Sequence, residues 1–165
     1  MPFKEYKNEY ENLRFTYPKE FTVDCCELPK PTTKSQIIIS MGIKESNDKY
    51  GVIGIYNEPN FQTEKSDYTF DEFVQRQKEI LISDYKIVNN GKEPAIIEEQ
   101  TIVGGKFAVR FKGLSWKGND IIFINQYRGD RNNNYYSISI MNKMGSSFEE
   151  TLKSIMDSIS FAKMR

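Results

Sequence analysis

Apolar and polar positions alternate along residues 104–141 in a way that defines three strands. Phe107, Val109 and Phe111 alternate with Ala108, Arg110 and Lys112, the period of two of a half-buried strand. Tyr136, Ile138 and Ile140 alternate with Tyr135, Ser137 and Ser139 in the same manner. Between them Ile121 and Phe123 point one way and Ile122 and Ile124 the other, which predicts a strand buried on both faces. Turns at Lys117–Asp120 and Arg128–Asn134 join the three into an antiparallel meander. A sheet covered on both faces needs helices on both sides, so the pattern points to an α/β (α+β) fold with a central antiparallel sheet sandwiched by helices.

The rest of the chain supplies the other layers. Residues 2–12 place Phe3, Tyr6 and Tyr10 at loosely helical spacing and read as a short helix or an arm. Leu13–Tyr17 and Phe21–Cys26 read as a hairpin around Pro18 and Lys19. Gln36–Ile43 follows, with Ile37, Ile39, Met41 and Ile43 on one face, and Tyr50–Asn57 returns beside it. Gly51 and Gly54 in that strand mark a bulge or the close approach of another element. Thr69-Phe-Asp-Glu72 fits a capping box, and Phe70, Phe73, Val74, Ile80 and Leu81 form one helical stripe over about 70–84. Tyr85–Val88 reads as a short strand, and Ala95–Val103 as a longer one ending in a Gly104-Gly105 hairpin turn. Ser147-Phe-Glu-Glu150 fits a second capping box for a closing helix whose stripe is Phe148, Leu152, Ile155, Met156 and Ile159. No repeat or linker divides residues 1–165, which read as a single domain.

Composition narrows the function classes. With 23 Lys plus Arg against 23 Asp plus Glu, and neither sign gathered in a block, the basic face expected of a nucleic-acid binder is missing. The longest apolar runs, such as Ile121–Ile124, fall far short of the ~20 residues of a membrane-spanning helix, so no membrane insertion is expected. The start MPFKEYKNEYEN has no apolar core of a signal peptide. That places the protein in the cytoplasm if Met1 is the native start, and outside it if a leader has been trimmed. Histidine is absent, which removes most hydrolase triads and imidazole metal sites, and no cofactor is expected. Abundant Lys, Asn, Ile and Tyr is the usage of AT-rich bacterial genomes.

From about Leu13 to Phe161 the chain resembles the PsbP-like fold family. The opening LRFTYPKEFTV is similar to the family's strand–turn–strand start, and TIVGGKFAVRF to its central hairpin with a small-residue turn. NNYYSISIM, followed by FEETLKSIMDSISF, resembles its last strand, closing helix and terminal Ser-x-Phe. The resemblance implies a central antiparallel sheet between helices. Relatives include an extrinsic photosystem II subunit, a Ran-binding nuclear transport factor, bacterial lipoproteins and chaperones of secretion effectors. These share binding to other proteins, so the resemblance implies a protein partner and no catalysis. A photosystem role is set aside for want of a lumen-targeting peptide. No binding residue is carried over, because the subfamilies share no functional motif, and one fold hosts many functions.

Four groups of side chains invite a sharper reading. Cys25-Cys26 lacks CxxC spacing and a His partner, and reads as two ordinary packed thiols. Arg128-Gly129-Asp130 spells an integrin-type tripeptide, but Gly, Asp and three asparagines at that point build a turn. The acid pairs Asp71-Glu72, Glu98-Glu99 and Glu149-Glu150 fit helix starts and a strand surface better than a catalytic pair. Trp116, with Arg110 and Arg128 nearby in the meander, forms the candidate partner-binding patch, since Trp and Arg dominate hot spots. A lone Trp more often closes the end of a core. The expectation is therefore a non-enzymatic domain that binds another protein, such as a secretion-effector chaperone or a lipoprotein domain. The competing class is a small enzyme with a carboxylate–tyrosine pocket, recognisable by a desolvated acid in a convergent cleft.

Overall fold

The computed structural model describes residues 2–24, 35–62, 67–113, 120–127 and 134–161. Its elements are β1 (Phe3–Asn8), β2 (Leu13–Pro18), β3 (Thr22–Asp24), β4 (Gln36–Ser46), β5 (Lys49–Pro59), α1 (Phe70–Val88), β6 (Ile97–Val103), β7 (Lys106–Lys112), β8 (Asp120–Ile124), β9 (Asn134–Asn142) and α2 (Ser146–Ser158). Among the described residues, seven strands lie in the order β3-β4-β5-β9-β8-β7-β6, each pair antiparallel, while β1 and β2 form a separate ribbon.

The doubly apolar strand explains the layering. Ile122 and Ile124 of β8 are buried in one core and Phe123 in another, on opposite faces of the sheet. On the first face α2 brings Phe148, Leu152 and Ile155 onto Ile53, Ile138 and Ile140, and β2 adds Leu13 and Phe15. On the second face α1 brings Phe70, Phe73 and Val74 onto Val109, Phe111, Phe123 and Tyr135. Phe73 stacks on Tyr135 at 4.8 Å between ring centroids and meets Phe123 edge-on at 5.6 Å. The meander β7-β8-β9 and the Gly104-Gly105 turn form as expected, both glycines having positive φ. But β7 and β9 are not half-buried: helices or ribbon on each side bury Ala108–Phe111 and Asn134–Ile138 on both faces. Gly51 marks a close approach, because a Cβ there would run into the ring of Phe148.

Several local expectations are corrected. Residues 3–8 form a strand paired with β2, not a helix; Tyr6 faces Phe15 across the ribbon at 4.9 Å, and one aromatic contact outweighs the weak helical spacing. The expected hairpin of β2 with β3 does not form. Phe21 donates to the Pro18 carbonyl in a turn that sends the chain into the large sheet, where β3 pairs with β4. The first face is thus covered by α2 and a β-ribbon together. A register shift between Ile37 and Ile39 breaks the β4 alternation: Ile38 and Ile39 are both buried and Ile37 is exposed. Tyr85–Val88 continues α1 instead of forming a strand, with Asn89 donating from backbone and side chain to the Tyr85 carbonyl. The second capping box is also absent. The N-cap of α2 is Gly145, and Asn142 builds the entry turn by accepting from the amides of Met144 and Gly145.

Candidate functional site

Arg110 lies on the β7 face that looks towards α2, directly opposite Ile122 of β8. It is 7% exposed, and its guanidinium donates to Asp120 at 2.6 Å and to both oxygens of Glu149 at 2.8 and 3.2 Å. Burial works against the Arg110 charge, and its hydrogen bonds to Glu149 and then to Asp120 more than offset it, so its pKa is raised. In return the Arg110 hydrogen bonds hold the Glu149 carboxyl below the ordinary glutamate range, against the effect of its own burial. Arg110 therefore ties α2 to the meander and does not stand on an open patch. Its two expected companions, Trp116 and Arg128, lie outside the described residues, as do Cys25, Cys26 and the Arg128-Gly129-Asp130 tripeptide.

The acid pairs resolve into structural contacts. Glu98 pairs with Lys78 of α1, and Glu99, on the other face of β6, pairs with Lys112. Thr69 caps α1 by accepting from the Glu72 amide, and its hydroxyl donates to the Glu72 carboxylate. Neither of these two pairs brings carboxylates together, and where Glu149 of the third approaches Asp120 the Arg110 guanidinium joins them.

A carboxylate that the sequence reading passed over is placed differently. Glu58 sits near the end of β5 on the α1 face, where the strand closes at Pro59. Asn60 donates to the Tyr68 carbonyl at 3.2 Å and so fixes the path from β5 to α1. That path leaves a cleft of about 340 Å³ lined by Ser35, Glu58, Phe61, Tyr68, Arg76 and Gln77 among others. Glu58 takes one hydroxyl on each oxygen, Ser137 at 2.8 Å and Ser35 on the other. Burial pushes its pKa up, and the two serine hydroxyls offset this only in part. Tyr56, two residues back on the same face, is also raised, by its own burial and then by the Glu58 charge. Glu58 has no ion-pair partner among the described residues, and neither has Arg76 across the cleft. The one sequence signal was an acid just after the largely apolar run Gly51–Tyr56 and directly before Pro59; its serine partners, 23 and 79 residues away, were not readable.

The second open feature is β6. It is an outer strand of seven residues without proline or bulge, paired with β7 along its whole length. Ile97 and Ile102 on it are 57% and 67% exposed, and Phe107, opposite Ile102, is 38% exposed.

No protein-family model matches the chain, and no curated protein does. Among solved structures it is similar to the solution structure of cyanobacterial PsbP (CyanoP) from Synechocystis sp. PCC 6803. The TM-score is 0.57 at 9% sequence identity, covering 95% of this chain and 91% of that one. The likeness shows the fold: a PsbP-like α+β architecture with a large antiparallel sheet and two helices.

Proposed function

We propose that this chain is a non-catalytic domain that binds another protein, and that it does so by adding a partner strand to β6. The observation that supports this is the open edge. Edge strands are commonly shortened, bulged or covered because their free amides and carbonyls template pairing. Here Ile97–Val103 keeps full length, and its exposed isoleucines offer apolar contact on both faces. Glu98 and Glu99 select for Lys or Arg at the facing positions of an incoming strand, since opposite charges across strands are favourable. Either a secretion-effector chaperone or an extracytoplasmic lipoprotein domain is a setting for such a binder.

The test is hydrogen exchange of the chain alone and with a co-purifying protein from its native host. Added protection confined to amides 97–103, weakened by Ile102→Lys, supports the reading; protection elsewhere counts against it. The competing enzyme class has one observation in its favour, the desolvated Glu58. The groups that face it are two serine hydroxyls, Tyr56, Tyr68 and one cation, Arg76, a set suited to holding a ligand. General acid–base work needs a second titratable group with an opposite demand.

A further inference from the structure

We infer that the cleft between β5 and α1 is a binding site for a small zwitterion, an amino acid with an apolar side chain, whose ammonium sits on Glu58 and whose carboxylate meets Arg76. The inference goes beyond protein binding and rests on a different surface from β6. Each oxygen of an ionised carboxylate has about two acceptor positions, and the serines fill one on each. The remaining positions suit an ammonium, a compact donor that also brings the missing opposite charge. A carboxylate withdrawn from water is costly without a cation, and no Lys or Arg among the described residues supplies one. Arg76 lines the same cleft but forms no ion pair with Glu58. Its planar guanidinium makes neither hydrogen bond nor ion pair among the described residues, and a carboxylate is its natural bidentate partner.

The walls set the rest of the ligand. Phe61, Tyr68 and Phe73 give apolar and π surface, which accommodates a hydrocarbon side chain and favours a cation near ring faces. A volume of about 340 Å³ is at the small end for ligand pockets and admits a single amino acid. Glu58 is held towards its neutral form by burial, so seating an ammonium there draws the proton off and lowers its pKa. The titratable and charged groups around it are Tyr56 on β5, Tyr68 before α1 and Arg76 on α1.

The experiment is calorimetric titration of the full chain with three probes that separate the two contacts. They are L-phenylalanine with both charges, L-phenylalaninamide with the ammonium alone, and 3-phenylpropionate with the carboxylate alone. L-phenylalanine is expected to bind tightest. Glu58→Gln should weaken L-phenylalanine and the amide at least tenfold. Arg76→Gln should weaken L-phenylalanine and leave the amide unchanged. Carboxyl NMR of the wild-type chain gives a readout independent of any variant's folding: the Glu58 resonance should titrate at lower pH with the amide bound. No binding of any probe at millimolar concentration overturns the inference. So does an affinity for L-phenylalanine that Glu58→Gln leaves intact, or a Glu58 titration that the amide does not move.

Discussion

The two faces of the sheet treat a partly buried charge in opposite ways. On the α2 face, Arg110 is enclosed by Asp120 and Glu149, and its charge is matched at 2.6 and 2.8 Å. On the α1 face, Glu58 is given hydroxyl donors but no cation among the described residues. The first arrangement raises the pKa of Arg110 and lowers that of Glu149, the signature of an ion pair that holds structure together. The second raises the pKa of the acid, the signature of a group kept at a cost. The difference separates a structural from a functional charge better than residue type does. It also moves attention from the arginine that the hot-spot argument singled out to a glutamate that it did not.

The largest expected effect comes from the packing that carries the α2 face. Leu152 is fully buried against Leu13, Ile53 and the β9 isoleucines. Leu152→Ala should cost about 2–5 kcal/mol in denaturant melts, the range for a leucine whose cavity does not collapse. A negligible loss would mean that α2 is not anchored by this face. Arg110→Gln comes next, with a loss of about 2–3 kcal/mol. The figure sits below that for a fully enclosed pair because the Glu149 side chain is 42% exposed. If Arg110→Gln is neutral, the contrast between the faces fails at its structural end.

The fold was legible where the alternation is enforced on both sides of a strand. Ile121–Ile124 could be placed because every position is apolar, and the two-sided cover followed from that. The ribbon was not legible, since β1 is mostly exposed and its most evident apolar contact with β2 is Tyr6 against Phe15. The β4 bulge was hidden by three consecutive isoleucines, among which Ile37 and Ile39 satisfy a period of two although the buried pair is Ile38 and Ile39. Arg110 was picked out by type, but its partners Asp120 and Glu149 come from the start of β8 and from a helix 39 residues on. Glu58 was missed for the same reason. Its role is defined by what is not beside it, and a sequence does not show absent neighbours.

The helices on the two faces offer a smaller contrast. Thr69 accepts from the Glu72 amide and caps α1, whereas Ser147 of the apparent second box caps nothing and lies inside α2. Thr69→Ala should cost about 1 kcal/mol and Ser147→Ala less than about 0.5 kcal/mol in parallel melts. Equal losses would restore the second capping box.

A small change of the opposite sign, and the one that bears most directly on the comparison, is expected from Glu58→Gln. An acid whose folded pKa is raised binds more protons folded than unfolded across the interval between its two pKa values. Stability therefore falls as pH rises from the ordinary glutamate range through the folded value. The amide keeps the shape and can still bond the serines, but carries no charge to desolvate. Glu58→Gln should stabilise the unliganded chain at neutral pH, by less than about 1 kcal/mol, and flatten that part of the profile. Glu149 behaves in the opposite sense. Its lowered pKa gives stability that is present above the ordinary range and is lost as pH falls through the folded value, and Arg110→Gln should remove that acid-side loss. Melts from about pH 3 to 8 on the wild type and both variants read the two limbs separately. A Glu58→Gln chain that is less stable than wild type at neutral pH, with an unchanged profile, would make Glu58 a structural charge like Arg110 and end the distinction between the faces.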